Sequence, residues 1–405
     1  MKTITFYWHC LKSKSIIRAC LFVALASCNS VQVRQGENIV TMEAAVAEQR
    51  VVKLSELCDS IAYIPLETPD TALINSRFSY KSKFLNAGNQ LFTWDGRASI
   101  TIGSTGQGPG EDIWWNDCAY TPDGYYSYGS KIIKYDKSGV YAGLEKGLAE
   151  DMERALAAVG SRPIFYLGDT LLFMNPDLTI FRKIRMTPSW PEPTKFLVKP
   201  PTFSKFADNN DSVLFYNYTN DTIYRVLENG VSPRWILDVG ESKIPLKYLL
   251  GNGSKYRMDI YHELTASGES TYTTETDNKL HINRLYETGN FIFIEWEKMR
   301  DWYDYHRSYA KPYPQIAYYN KNSGATVAVS GYGGFVDDLG VMGTFFPKGT
   351  HGENLVCSVW PYELREKVDS LANIGKPVDK SLTLMLDTIP DDANPIIVMV
   401  HLRSK

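Results

Sequence analysis

From Ile61 onward the chain alternates short runs of Val, Ile, Leu, Phe, Tyr and Trp with breaks of Asp, Asn and Gly. That rhythm predicts strands joined by tight turns. Leu91-Phe92-Thr93-Trp94 meets Asp95-Gly96 before Ile100-Thr101-Ile102. Tyr125-Tyr126-Ser127-Tyr128 and Ile132-Ile133-Lys134-Tyr135 lead to Asp136-Lys137-Ser138-Gly139. Leu171-Leu172-Phe173-Met174 leads through Asn175-Pro176-Asp177 to Ile180–Ile184. Asp95, Asp136 and Asp177 stand 41 residues apart, so a hairpin-bearing unit repeats.

Three more units complete the series. Val213–Tyr216, Thr222–Val226 and Trp235–Leu237 form the fourth; Phe291–Trp296, Ile316–Tyr319 and Thr326–Val329 form the fifth. The sixth must join Leu355–Val359 to Ile396–Leu402. A radial array of sheets closes by pairing strands from opposite ends of the chain, and Ile61–Leu66, with Pro65 marking a strand end, is the donor. The expected fold is all-β, a six-bladed β-propeller with a few short helical insertions. The helices are placed at Leu144–Val159, at Pro361–Asn373, where Leu364, Val368 and Leu371 share a face before Gly375, and at Lys380–Leu386.

The first segment has another character. Lys2, Lys12, Lys14 and Arg18, with no acid, precede the apolar run Ala19–Ala26, too short to span a bilayer. Leu25-Ala26-Ser27-Cys28 reads as a lipobox, so Cys28 is the expected lipidation site. The organisation expected is a lipoprotein signal peptide over 1–27, a lipid-anchored tether and N-terminal segment over 28–60, and the propeller over 61–405. The expected partner is therefore the membrane, through an N-terminal lipid, with a cell-envelope location on the outer membrane facing the periplasm. Behind the anchor, Cys58, Cys118 and Cys357 have no metal-ligand spacing and read as small buried apolar residues.

Composition refines this picture. Of 405 residues, 44% are hydrophobic and 13% aromatic, enough for a large core and against disorder as the main state. The 43 basic and 46 acidic residues give a net charge of -3, which offers nucleic acid no electrostatic footing.

The segments Ile61-Ala62-Tyr63-Ile64-Pro65-Leu66-Glu67-Thr68, Gly106-Gln107-Gly108-Pro109-Gly110-Glu111, Asn220–Val226 and Asn394–Val400, in that order, resemble a group of bacterial six-bladed β-propeller lipoproteins. These are related in architecture to NHL-repeat and TolB-like propellers and are mostly domains of unknown function. The resemblance spans almost the whole chain behind the leader and implies the propeller fold and an envelope location. It implies no reaction. Asp112-Ile113-Trp114-Trp115 departs from it where an aromatic would directly follow the Glu.

No contiguous motif supplies chemistry. Gly103, Gly106, Gly108 and Gly110 lack the Lys-Ser/Thr of a phosphate loop and read as turn glycines, with Glu111 accepting from their N–H groups. His262, His281, His306, His351 and His401 are scattered singly, and Asp337-Asp338 and Asp391-Asp392 read as solvated turn acids. No metal or other cofactor is called for by a motif; Ca²⁺ would enter only through such acids. Aromatic and basic residues gather in two loops: Trp114 and Trp115, then Arg300, Trp302, Tyr303, Tyr305 and Arg307, with Trp296 nearby. Rings beside Arg suit a sugar, while seam filling between blades is the structural alternative. The function expected is a non-catalytic binding or scaffold module for carbohydrate or an envelope protein. The alternative is a propeller hydrolase, lyase or lactonase with an acidic, Ca²⁺-dependent site at the channel mouth, built from separate blades.

Overall fold

The computed structural model describes residues 38–70, 73–74, 78–81, 83–113, 117–147, 154–167, 170–186, 205–209, 212–244, 278–299, 314–331 and 333–403. The described chain starts at strand β1 (Ile39–Thr41), continues through helix α1 (Glu43–Ala47) and a 3-10 turn at Leu54–Glu56, and reaches β2 (Cys58–Pro65). Three blades then follow in order. The first is β3 (Phe78–Tyr80), β4 (Leu85–Ala87), β5 (Gln90–Phe92) and β6 (Ala98–Thr101). The second is β7 (Asp117–Thr121), β8 (Gly124–Tyr128), β9 (Lys131–Tyr135) and β10 (Tyr141–Gly147). The third is β11 (Arg154–Val159), β12 (Arg162–Leu167), β13 (Thr170–Met174) and β14 (Ile180–Arg185). Each is an antiparallel sheet whose strands pair in chain order.

The fourth blade, β15 (Lys205–Asn209), β16 (Ser212–Asn217), β17 (Thr222–Leu227) and β18 (Gly230–Asp238), takes β1 as a parallel fifth strand. The fifth is β19 (Leu280–Glu287), β20 (Phe291–Lys298), β21 (Gln315–Asn320) and β22 (Ala325–Ala328). A small ribbon, β23 (Phe335–Val336) with β24 (Thr344–Phe345), precedes the last blade. That blade runs from β25 (Gly349–His351) to β26 (Asn354–Val359) and, after helices α2 (Pro361–Asn373) and α3 (Lys380–Asp387), to β27 (Ile396–Leu402). Its fourth strand is β2, antiparallel to β27 with Ala62 opposite Met399. The protein is thus a six-bladed propeller with the expected closure.

The equal spacing of Asp95, Asp136 and Asp177 has a structural meaning. Each sits in the turn between the third and fourth strands of its blade. Asp136 Oδ1 accepts the N–H groups of Ser138 (2.8 Å) and Val140 (3.0 Å), and Asp177 Oδ1 accepts that of Thr179 (3.0 Å). A short acceptor within the turn organises the reversal, as the first turn residue at Asp136 and as the third at Asp177, so the repeat unit carries its own punctuation.

The core is divided among the seams between blades. Leu85, Phe92, Val356 and Ile397 fill the one between the first and sixth blades. Along β20, Phe291 and Phe293 face the sixth blade while Ile292, Ile294 and Trp296 face the fourth. Because both faces of a middle strand are buried, it reads as an unbroken apolar run. Cys58, Cys118 and Cys357 are buried within these seams, and burial pushes the thiols of Cys58 and Cys357 up to about 12.

Helix α2 has the expected bounds: Pro361 opens it, Glu363 Oε2 accepts the Trp360 N–H at 3.3 Å, and Gly375, at φ 71°, follows its end. The described residues of Leu144–Val159 are strand rather than helix: the end of β10 and all of β11. The segment's Ala, Leu, Glu and Lys favour helix locally, but pairing with β9 and β12 prevails. Three α-helices occur among the described residues, and none is long and apolar enough to cross a membrane.

Before closing the ring, the N-terminal segment runs along outer edges. Met42 N donates to Asp238 O (2.8 Å), Arg50 N to Ala328 O (3.1 Å), and Val52 O accepts from Val336 N (2.9 Å). Residues 39–65 therefore bind the fourth and fifth blades, then the ribbon, then the sixth blade.

Candidate functional site in the central channel

The first strands of the blades stand around the axis. β7, β11, β15 and β19 touch in succession, and β25 touches both β19 and β3. They enclose a cavity of about 650 Å³. One wall is Ala155–Val159 of β11, whose small side chains leave the space open.

The charged part of the lining is basic. Lys81 and Lys83 come from the hairpin after β3, Arg284 from β19, and Lys348 from the approach to β25. Among the described residues of the lining, Asp117 carries the one carboxylate, and Lys81 Nζ holds it at 2.6 Å with both side chains mostly shielded. Lys348 Nζ also lies 4.3 Å from the Phe346 ring centroid. The cavity is cationic within a chain of net charge -3.

Arg284 is fixed by its own blade. It lies opposite Glu295 in the β19–β20 register and hydrogen-bonds to Tyr286, whose Oη donates to Glu295 Oε2 at 3.5 Å. Burial, reinforced by the Glu295 carboxylate, raises the Tyr286 phenol far above its ordinary range, so its proton stays on. On the facing β3, Tyr80 Oη donates to Ser358 Oγ at 2.9 Å, and burial raises its phenol as well. The arrangement can hold an anion. Among the described lining residues Asp117 is the one acid, whereas the hydrolase, lyase or lactonase alternative is built on an acidic site.

Cys28, Trp114, Trp115, Arg300, Trp302, Tyr303, Tyr305 and Arg307 lie outside the described residues, as do His262 and His306. Trp296 is described and has no exposed surface; it fills the seam between the fourth and fifth blades. His281 meets Glu297 at 3.1 Å inside the fifth blade, His351 stacks on Trp94 with centroids 4.2 Å apart, and His401 meets Asn354 at 2.6 Å. Asp337 accepts the N–H groups of Leu339, Gly340 and Met342, Asp338 holds Ser55, and Asp391 pairs with Arg365, all as loop anchors.

The glycine loop is structural in the described fold. Glu111 accepts from Gly108 N (2.9 Å) and Ser104 Oγ (3.0 Å), and Lys131 Nζ donates to Gly108 O (3.2 Å). The left-handed positions are Gly103 (φ 54°) and Gly110 (φ 75°). Gly108 is outside that region, and its side is closed by Glu111 Oε2, 2.9 Å from where a Cβ would stand.

The basic residues of the channel carry only a faint sequence signal. Arg284 is a charge in a strand otherwise rich in apolar residues, and Lys81 and Lys83 flank a hairpin. Such positions acquire meaning once the ring brings first strands of different blades together.

Residues 37–401 match a family described as a domain of unknown function, DUF4934. A candidate exported protein of Bacteroides fragilis is similar in structure, with a TM-score of 0.61 at 16% identity, over 91% of this chain and 100% of that one. A member of the DUF4221 family from Bacteroides vulgatus is similar with a TM-score of 0.42 at 9% identity, over 88% and 99% of the two chains. No curated protein matches in sequence.

Proposed function

The chain belongs to the DUF4934 family, and on that premise we propose that it is an exported, lipid-anchored propeller of the cell envelope that serves as a non-catalytic binding module, with the central channel as its ligand site. The observation that carries this reading is the cavity of about 650 Å³ in which four basic side chains face one carboxylate already engaged by Lys81. Its volume falls within the roughly 300–1,000 Å³ of small-molecule sites. The location is supported by the basic leader ending at Cys28 and by the similarity to a candidate exported protein. A fixed ring around a polar cavity is a pre-organised receptor, in which little ordering opposes binding.

Native mass spectrometry of protein taken from its own membrane tests the channel, with Ser79→Trp as the comparison because Ser79 lines the cavity on β3. A small-molecule adduct on the parent protein that is absent from the variant supports the reading. Absence from both, or retention by both, overturns it. Cys28→Ala is expected to abolish palmitate labelling and release the protein from membranes; unchanged labelling would count against the anchor.

A further inference from the structure

Resting on the channel as ligand site, we propose that its occupant is an acidic sugar, a hexuronate or a short oligomer of one. Its carboxylate would be held by Lys83, Arg284 and Lys348, and its ring would lie against the tyrosines of the first blades. Charge is the first reason. Lys81 is committed to Asp117 and Arg284 lies beside Glu295, yet the described lining itself holds four cations to one carboxylate, beside low-dielectric walls that focus its field. Arg284 offers a planar fork suited to a carboxylate, and Tyr286 and Glu295 orient it from behind.

The neutral lining is the second reason. Ser79, Ser212, Asn283 and Thr350 present hydroxyl and amide groups that both donate and accept, as a polyhydroxylated body requires. Tyr80, Tyr120 and Tyr128, half-buried against the seams, line the cavity with what remains of their rings, an apolar border for sugar C–H groups. A simple inorganic anion would use the cations and leave these groups idle. A phosphate ester is less well served, since the Gly108 N–H of the glycine-rich loop is already given to Glu111 and the loop does not line the cavity.

Calorimetric titration of the protein without its leader would compare galacturonate, digalacturonate and trigalacturonate with galactose and galactobiose, using sodium sulfate and AMP as further probes. Acidic sugars are expected to bind at least about tenfold tighter than their neutral counterparts, and added salt should weaken them. Lys83→Gln should weaken binding about tenfold with melting unchanged; Arg284→Gln should weaken it at least as much and also lower the melting temperature, because Glu295 loses its partner, and Arg284→Lys should recover part of both losses. Equal binding of neutral and acidic sugars, equal binding of sulfate or AMP, or no binding of acidic sugars overturns the inference. If a neutral sugar binds and Ser79→Trp abolishes it, the channel reading stands while the acidic-sugar inference falls. If acidic sugars bind equally well to Ser79→Trp, both fall.

Discussion

The carboxylate of Glu287, at the end of β19, is gripped by Arg234 of β18 through Nε and Nη2 at 2.8 to 3.1 Å, across the seam between the fourth and fifth blades. Trp235 Nε1 (3.2 Å) and Lys321 Nζ (2.6 Å) donate to the same carboxylate, whose side chain is 1% exposed. Two blades are thereby tied through one buried anion.

Glu287→Ala should cost about 3–5 kcal/mol, because removing one partner strands the other charges in a poorly solvated seam. Arg234 keeps about a third of its surface, which favours the lower end. Chemical denaturation measures the loss; an effect below about 1 kcal/mol would show that water replaces the carboxylate freely.

Acid should reveal the same group. Burial alone would raise the Glu287 pKa, but the hydrogen bonds and charges of Arg234 and Lys321 prevail and hold it below the ordinary value of 4.5. A carboxyl depressed on folding contributes its full stability above that ordinary value and loses it as pH falls through the folded one. Melting followed from neutral pH down through the acid range should therefore drop more steeply for the parent protein than for Glu287→Gln. Parallel curves would assign the acid sensitivity elsewhere.

In the glycine loop the ranking of two substitutions is decisive. Gly110→Ala combines φ 75° with a Cβ only 2.5 Å from Tyr141 Cγ, and should cost about 1–3 kcal/mol. Gly108→Ala meets only the movable end of Glu111 and should cost less. Thermal melts of the two variants check the order, and the reverse order would contradict the geometry.

For the closure, Ala62→Cys combined with Met399→Cys places thiols on directly opposite residues of β2 and β27. The pair should cross-link on oxidation, shift mobility on non-reducing gels and add about 2–4 kcal/mol of stability. Native cysteines should not compete, since all three described ones are buried. A register slipped by one residue would put the thiols on opposite faces and prevent the cross-link.

Middle strands were legible because a blade is sandwiched between neighbours. Phe291–Trp296 and Ile396–Val400 are apolar at nearly every position, since each face meets another sheet. First strands were not: Arg154–Val159, rich in alanine, and the three-residue Gly349–His351 carry little strand signal, because crowding at the axis and contact with the cavity select small or polar residues. For that reason Ala155–Val159 reads as part of a helix, and Arg284 stands in no recognisable motif. A site assembled from first strands of several blades has no local pattern. Aromatic density was easier to see, yet Trp296 shows how much of it serves the seams.

The pairing of β2 with β27 also sets an order of events. β2 leaves the ribosome early, and its partner, more than three hundred residues later, is the last described strand to appear. Blades one to five draw no strand from the last segment and can form without it, whereas the sixth must wait for β27. A chain stopped before Ile396 would display β2 and β26 as raw edges, ready to pair with another molecule or to be cleaved. Closure of the ring therefore waits on β27, and any chain that lacks it leaves two strand edges open to pairing.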